Sequence, residues 1–281
     1  MTSPKIKLGN RRVTGKEQFY TPVDTATWVV NRVLELVPNS RYQTWLEPSA
    51  GSGSFLSALT GAGISDVIAM DIDPAHADVR KKDFLKWKPT TENLVAIGNP
   101  PFGRNNSLSI PFFNKCAQFS STIAFIVPRS WRKWSVTNRL SMDFSCISDE
   151  NLDINYVDVT GADVYAKNNL RTCLQVWTRA PIPRQPVRIL DHGFVEKVEP
   201  ERADIALKVF GYGCGTVLTD FARVPNTTLM FLKVNDRRAV KALMEAPLGH
   251  YFNNVAYTEA LAFTEVNDAL NRALVGSVSN S

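Results

Sequence analysis

The stretch Ala96-Ile97-Gly98-Asn99-Pro100-Pro101-Phe102-Gly103 constrains this chain more than any other. An apolar run that reads as a buried strand stops at an asparagine. Two prolines then forbid its continuation, because proline fixes φ and lacks the N–H that a sheet ladder needs. The loop they stiffen aims two hydrogen-bond acceptors, the Asn99 side-chain oxygen and the Pro100 carbonyl. Such a pair could draw the hydrogens of an adenine's exocyclic amine out of the ring plane and localise a lone pair that is otherwise delocalised. No general base of matched pKa is then needed. Phe102 would offer a flat face for the base to stack on, a contact worth roughly 1–3 kcal/mol in nucleic-acid binders. The competing reading is a proline-rich turn after a buried strand, with Phe102 in the core.

Asn-Pro-Pro-Phe after a hydrophobic strand resembles the catalytic motif of S-adenosylmethionine-dependent amino methyltransferases, most closely that of the DNA adenine-N6 class. The resemblance implies a catalytic set of Asn99, Pro100, Pro101 and Phe102. It also implies an α/β fold, a Rossmann-like class I methyltransferase sheet followed by a smaller C-terminal α+β module. Upstream lies Lys16-Glu17-Gln18-Phe19-Tyr20-Thr21-Pro22. The residues after it, Ala26, Val29, Val30, Val33, Leu34 and Val37, recur at helical spacing. Thr21 is expected to cap that helix, with Pro22 in the first turn and Asp24 three residues on. Free N–H groups and a hydroxyl at a helix start could seat a carboxylate such as that of the cofactor's methionine. Phe-Tyr-Thr-Pro is itself similar to the motif that precedes the glycine-rich loop in adenine-N6 methyltransferases.

Thr44 to Glu47 reads as a short strand, and Pro48-Ser49-Ala50-Gly51-Ser52-Gly53 as a turn into a helix bearing Phe55, Leu56 and Leu59. Glycines permit a tight turn and close approach of a ligand to the backbone. Alone, such a turn fits a dinucleotide fold equally well. Asp71 ends the next apolar run, Val67 to Met70, and lies 18 residues beyond Gly53, a fitting place for a carboxylate that bonds ribose hydroxyls. Asp73 is its rival. The family's pattern puts the first acid on the sugar and Ile72 on the adenine ring. It likewise puts Asp83 on the cofactor's amino group and Phe84 against its ring. The full cofactor set that the resemblance implies is Tyr20, Thr21, Glu47, Ser49, Gly51, Gly53, Asp71, Ile72, Asp83, Phe84 and Asn99. The motif order, cofactor segments first and Asn-Pro-Pro-Phe after, resembles the gamma arrangement, with sequence recognition in a C-terminal domain. The resemblance covers roughly residues 16 to 180.

With 281 residues and 44% apolar content, the chain can bury one large core and a smaller one. No stretch approaches the roughly 20 apolar residues of a membrane span, and the N-terminus lacks a signal peptide's apolar core. The expected location is cytoplasmic, nucleoid-associated or nuclear. Cys116, Cys146, Cys173 and Cys214 are widely spaced, and His76, His192 and His250 do not neighbour them closely. Neither a disulfide framework nor a metal site is indicated. A net charge of +5 suits a polyanionic partner but is a small excess. Residues 1 to 16, with Lys5, Lys7, Arg11, Arg12 and Lys16, read as a mobile basic arm or a solvated tail.

Gly103 to Ser107 is expected to be a polar loop bordering the target pocket, which makes Arg104 a nucleic-acid contact. A helix is expected over Pro111 to Phe119, and a strand over Thr122 to Val127. In Pro128-Arg129-Ser130-Trp131-Arg132-Lys133-Trp134 positive charge alternates with aromatics. The segment could hold phosphates through Arg129, Arg132 and Lys133 while Trp131 stacks on a base, or it could pack on the sheet as an amphipathic helix. Leu152 to Val159 and Arg171 to Trp177 read as a closing hairpin, and Pro181 to Pro186 as a linker. Beyond it, strands are expected at Val187 to Leu190, Ile205 to Phe210, Val217-Leu218 and Leu229 to Val234. Helices are expected at Asp236 to Glu245 and near Glu265 to Leu274. Gly211 to Gly215 reads as a plain turn. The division expected is an arm over 1–15, a catalytic domain over 16–180 and a target-recognition or accessory domain over 181–281, with dimerisation an equal role for the last.

The expected activity is methyl transfer from S-adenosylmethionine to the N6 amine of adenine in DNA, with the target base flipped out of the duplex. The alternative is the same chemistry on ribosomal, small nuclear or cap-adjacent RNA. Protein glutamine methylation is disfavoured, because that group shows Tyr where Phe102 stands. A cofactor-binding but inactive nucleic-acid module is the remaining rival. The oligomeric state stays open.

Overall fold

A computed structural model describes residues 19–158, 162 and 170–276. The basic arm and most of the connection expected between the hairpin strands lie outside the described residues. The chain divides into two compact units, one of Met1–Arg129 and Ser135–Gln185, the other of Ser130–Trp134 and Pro186–Ser281.

The first unit is built on seven strands: β1 (Trp45–Glu47), β2 (Val67–Asp71), β3 (Arg80–Lys81), β4 (Leu94–Gly98), β5 (Ser120–Pro128), β6 (Phe144–Leu152) and β7 (Thr172–Arg179). They form one sheet in the order β3-β2-β1-β4-β5-β7-β6, and only β7 runs against its neighbours. This is the Rossmann-like sheet of class I methyltransferases. Helices α1 (Val23–Leu36) and α2 (Ser54–Gly61) join it, followed by α3 (Ser109–Cys116) and a single turn, α4 (Trp134–Thr137). Ala26, Val29, Val30 and Val33 of α1 are all buried, and they share a core with Phe55 and Leu59 of α2 and with Trp45, Val95 and Ile97 of the sheet. Both faces of β4 are covered, so it reads as an unbroken apolar run.

Several expectations are corrected. Thr21 does not cap α1: Pro22 holds the cap position, no side chain donates or accepts there, and the Thr21 hydroxyl is engaged by Asn99 instead. Helix α3 starts at Ser109, with Pro111 in its first turn, where a missing N–H costs nothing. The strand expected from Leu152 to Val159 is not formed; the observed strand ends at Leu152. The real β6, Phe144–Leu152, is an edge strand with its middle largely exposed and a register shift between Cys146 and Ser148, so it carries no apolar alternation. Val157 instead makes an isolated antiparallel bridge to Tyr20.

The second unit has a four-stranded antiparallel sheet of β8 (Val195–Lys197), β9 (Ile205–Lys208), β10 (Val217–Leu218) and β11 (Leu229–Val234), in the order β10-β9-β11-β8. Helices α5 (Arg238–Glu245), α6 (Gly249–Phe252) and α7 (Phe263–Leu274) complete it. Ile205, Leu207, Met230 and Leu232 of the sheet pack with Ala239, Leu243, Val266 and Leu270 of the helices. Lys133 belongs to this unit. Its ammonium donates to the Ala260 carbonyl at 3.1 Å and to the Glu265 carboxylate at 3.0 Å. Glu265 in turn accepts from the Ala262 N–H at 2.8 Å, holding the start of α7. Trp134 lies edge-on to Tyr251, ring centroids 6.2 Å apart. Val187 to Leu190 forms no strand and is largely exposed; the Leu190 carbonyl accepts from the Asn271 side-chain amide at 2.9 Å instead. No helix of the described residues is long and apolar enough to cross a membrane.

Candidate active site

Where the strand order reverses, between β1 and β4, the connections leave in opposite directions and a crevice opens beyond the carboxyl ends of the strands. A cavity of about 480 Å³ occupies that place, within the range of small-molecule and cofactor sites. Pro48 and Ser49 reach it from the end of β1, Asp71 to Asp73 from β2, Lys82 to Leu85 from β3, and Asn99 to Phe102 from β4. Phe19 and Tyr20 close it from the segment before α1.

The Asn99 amide is the best-defined polar group in the cavity wall. Its Nδ2 donates to the Phe19 carbonyl at 2.9 Å and to the Thr21 hydroxyl at 3.3 Å. Its Oδ1 is buried with no partner among the described residues. The Ser49 hydroxyl donates to the Asn99 carbonyl at 3.3 Å, tying the loops after β1 and β4 together. Phe102 is 7% exposed and stacked on Phe19, centroids 5.9 Å apart and planes 23° apart. The two rings form one aromatic wall. Gly103 has φ of +66°, and a Cβ there would stand 2.5 Å from the Ser107 hydroxyl. Its freedom lets the chain double back, so that the Leu108 N–H bonds the Phe102 carbonyl and Leu108 and Phe112 join the cavity lining.

Across the cavity, the Asp71 carboxylate accepts from the Gly51 N–H at 2.9 Å and from the Asp73 N–H at 2.8 Å. Gly51 has φ of +48°, and a Cβ would fall 2.8 Å from the Tyr20 ring, so only glycine allows that ring to lie over the turn. Asp83 caps the short turn Phe84–Lys86 by accepting from the Leu85 N–H. Phe84 is buried against Phe112, centroids 5.1 Å apart. Ile72 is 70% exposed at the cavity wall. Glu47 lies behind the wall, 2% exposed, with Oε2 unpartnered among the described residues. Burial pushes its carboxyl up to about 8, the charge of Asp71 adds to this, and the Leu56 N–H opposes it.

The structure thus brings Asn99, Pro100, Pro101 and Phe102 together with Tyr20, Ser49, Gly51, Asp71, Ile72, Asp83 and Phe84 around one cavity. Thr21, Glu47 and Gly53 are not among its lining residues. Gly53 instead sits under His76, whose ring a Cβ would meet at 2.8 Å. The expected nucleic-acid contacts Arg104, Arg129, Trp131, Arg132 and Lys133 do not line it either. Trp131 is 0% exposed and has no face to give a base, which corrects the stacking role expected of it. Arg129 donates to the Thr172 carbonyl at 3.1 Å and to Asp153 at 3.2 Å, and Lys133 is bound up with Glu265. Neither cation is held out for phosphate. Arg132 is half-buried, and Arg104 alone of the five is exposed. Phe19, Lys82, Leu108 and Phe112 were not foreseen as site residues. Only the Asn-Asn pair at 105 and 106, both with positive φ, signals in sequence that the chain turns back there.

No family model matches the chain. Two type II methyltransferases of Haemophilus influenzae, M.HincII and M.HindII, are each 33% identical to it over 110 residues, 38% of this chain and 20% and 19% of theirs. The chain therefore spans about a fifth of the length of these relatives. A solved structure from Pyrococcus horikoshii, provisionally described as an RNA methyltransferase, has 17% identity and a TM-score of 0.47, covering 62% of this chain and 93% of the other. Among the described residues no group of His, Cys, Asp and Glu is placed to hold a metal.

The residues present fit S-adenosylmethionine by their own chemistry. Asp71 and Asp83 bring carboxylates, and Ile72 and Phe84 apolar side chains, to one cavity wall, a set that would suit the hydroxyl, amino and ring groups of that cofactor.

Proposed function

We propose that this chain is an S-adenosylmethionine-dependent methyltransferase that acts on the N6 amine of adenine in DNA. The unpartnered Oδ1 of Asn99 carries the reading. A buried acceptor with nothing to accept from costs roughly 1–3 kcal/mol, and a target amine entering the cavity would satisfy it. Asp71 would hold the cofactor's ribose, and Asp83, Phe84 and Ile72 its adenine. When bound, the cofactor supplies a methyl group activated by a sulfonium. The chain's residues then position the acceptor. Asn99 Oδ1 and the Pro100 carbonyl would accept hydrogen bonds from the two amine hydrogens, the Phe19–Phe102 wall would flank the base, and the one proton lost on methylation would pass to water. Such a base must leave the duplex stack to enter, at a few kcal/mol. Catalysis is then largely orientation and fixed dipoles. The motifs Phe-Tyr-Thr-Pro and Glu-Pro-Ser-Ala-Gly-Ser-Gly, and separately the partial likeness to two type II methyltransferases, favour DNA over RNA.

The test is to incubate the protein with labelled cofactor and either DNA or RNA, digest to nucleosides, and identify the labelled product. N6-methyladenine from DNA alone is expected. Label in RNA alone would overturn the substrate while keeping the chemistry. Asn99→Ala is expected to lower kcat by about 100- to 1,000-fold with cofactor affinity nearly unchanged. An equal loss of both would remove Asn99 from the chemistry.

A further inference from the structure

An asparagine amide has two ends of nearly equal size, and only the oxygen end can accept from an amine. The Phe19 carbonyl decides which end is which. It can only accept, and it lies 2.9 Å from one end of the Asn99 amide, so that end is Nδ2. The second hydrogen of Nδ2 reaches the Thr21 hydroxyl at 3.3 Å. Both donors are thereby spent, and Oδ1 is left without a partner among the described residues. Thr21 is itself 5% exposed, is not among the cavity-lining residues and gives α1 no cap. Its segment is held in place. Tyr20 exchanges two backbone hydrogen bonds of 3.2 Å with Val157, and Phe19 stacks on Phe102.

We propose that Thr21 is a positioning residue for methyl transfer, its hydroxyl locking the Asn99 amide so that Oδ1 is presented to the target amine. The proposal rests on the reading of Asn99 given above. It is an alternative to the cofactor contact that the Phe-Tyr-Thr-Pro motif implies for Thr21. The motif then has two duties: Tyr20 walls the cavity, and Thr21 works from behind it.

Thr21→Val keeps the side chain's volume and removes the acceptor, whereas Thr21→Ser keeps the hydroxyl. Three readouts separate the outcomes: kcat and KM for the nucleic acid, the dissociation constant of S-adenosylhomocysteine by calorimetry, and the Asn99 side-chain amide pair in nitrogen-15 NMR, assigned by its disappearance in Asn99→Ala. Thr21→Val is expected to lower kcat about tenfold, the effect of one mispositioned hydrogen bond. KM and S-adenosylhomocysteine affinity should stay within about twofold of wild type, and the Asn99 amide pair should shift. Thr21→Ser should restore all of these. An S-adenosylhomocysteine affinity that falls in step with kcat would put Thr21 back on the cofactor and overturn the proposal. So would an Asn99 amide pair that does not move. If the wild-type protein methylates no nucleic acid, the proposed function fails, and the amide shift alone still decides whether Thr21 locks Asn99.

Discussion

Glu47 shows how far one side chain can be read. It ends β1, is buried behind the cavity wall, and has one oxygen without a partner among the described residues. Desolvation holds its carboxyl at about 8 in the native state against 4.5 for a free side chain. Between those values the folded chain keeps a proton that the unfolded chain has released. Stability therefore falls as pH rises through that window, by at most about 1.4 kcal/mol per pH unit. Glu47→Gln cannot titrate. Its unfolding temperature should match wild type most nearly below about pH 4.5, exceed it increasingly up to about pH 8, and hold a constant lead beyond. Thermal denaturation across that range checks this. A lead independent of pH would mean that Glu47 is ionised in the native protein. The resemblance puts Glu47 in the site, but nothing local to Trp45–Glu47 tells that its side chain is buried and not among the cavity-lining residues.

At the scale of elements, the turn between β1 and α2 carries the most consequence. Gly51→Ala would force an L-residue into a left-handed conformation, costing about 1–2 kcal/mol, and would push its Cβ into the Tyr20 ring. The expected result is an unfolding temperature lower by several degrees and S-adenosylhomocysteine binding weakened about tenfold, measured by calorimetry. Unchanged binding would mean that Tyr20 does not set the shape of the cavity. The elements legible beforehand were those whose burial writes a period into the chain. The α1 stripe of Ala26, Val29, Val30 and Val33 was one, and the apolar runs of β2, β4 and β5 were others. Elements that lie at an edge wrote none. In β6 the buried residues are mainly its two ends, and β3 is two exposed residues paired to β2. Val187 to Leu190 shows the converse, a pattern suited to a strand in a segment that stays largely exposed and joins neither sheet. The catalytic loop was legible because prolines act locally. The return of the chain to Leu108 and Phe112 was only faintly so, since it depends on three left-handed residues, Gly103, Asn105 and Asn106.

For the molecule as a whole, the second unit depends on residues that precede most of it. The Lys133 and Glu265 side chains are 17% and 5% exposed, so removing one partner strands a charge. Lys133→Met should destabilise the second unit by about 3 kcal/mol. Hydrogen exchange would show it as faster exchange in β9 and β11, with β4 and β5 unaffected. Equal acceleration everywhere would mean that the two units unfold as one.

The five residues Ser130–Trp134 that this unit takes from mid-chain also bear on its history. The proline-rich linker at 181–186 looks like a natural breakpoint for trading C-terminal modules between related genes. A crossover there would leave one parent's Lys133 and Trp134 to meet the other parent's counterparts of Glu265 and Tyr251. Recombination at that joint splits a matched set, so the two halves are expected to descend together. A laboratory chimera would have to transplant the pentapeptide along with the module.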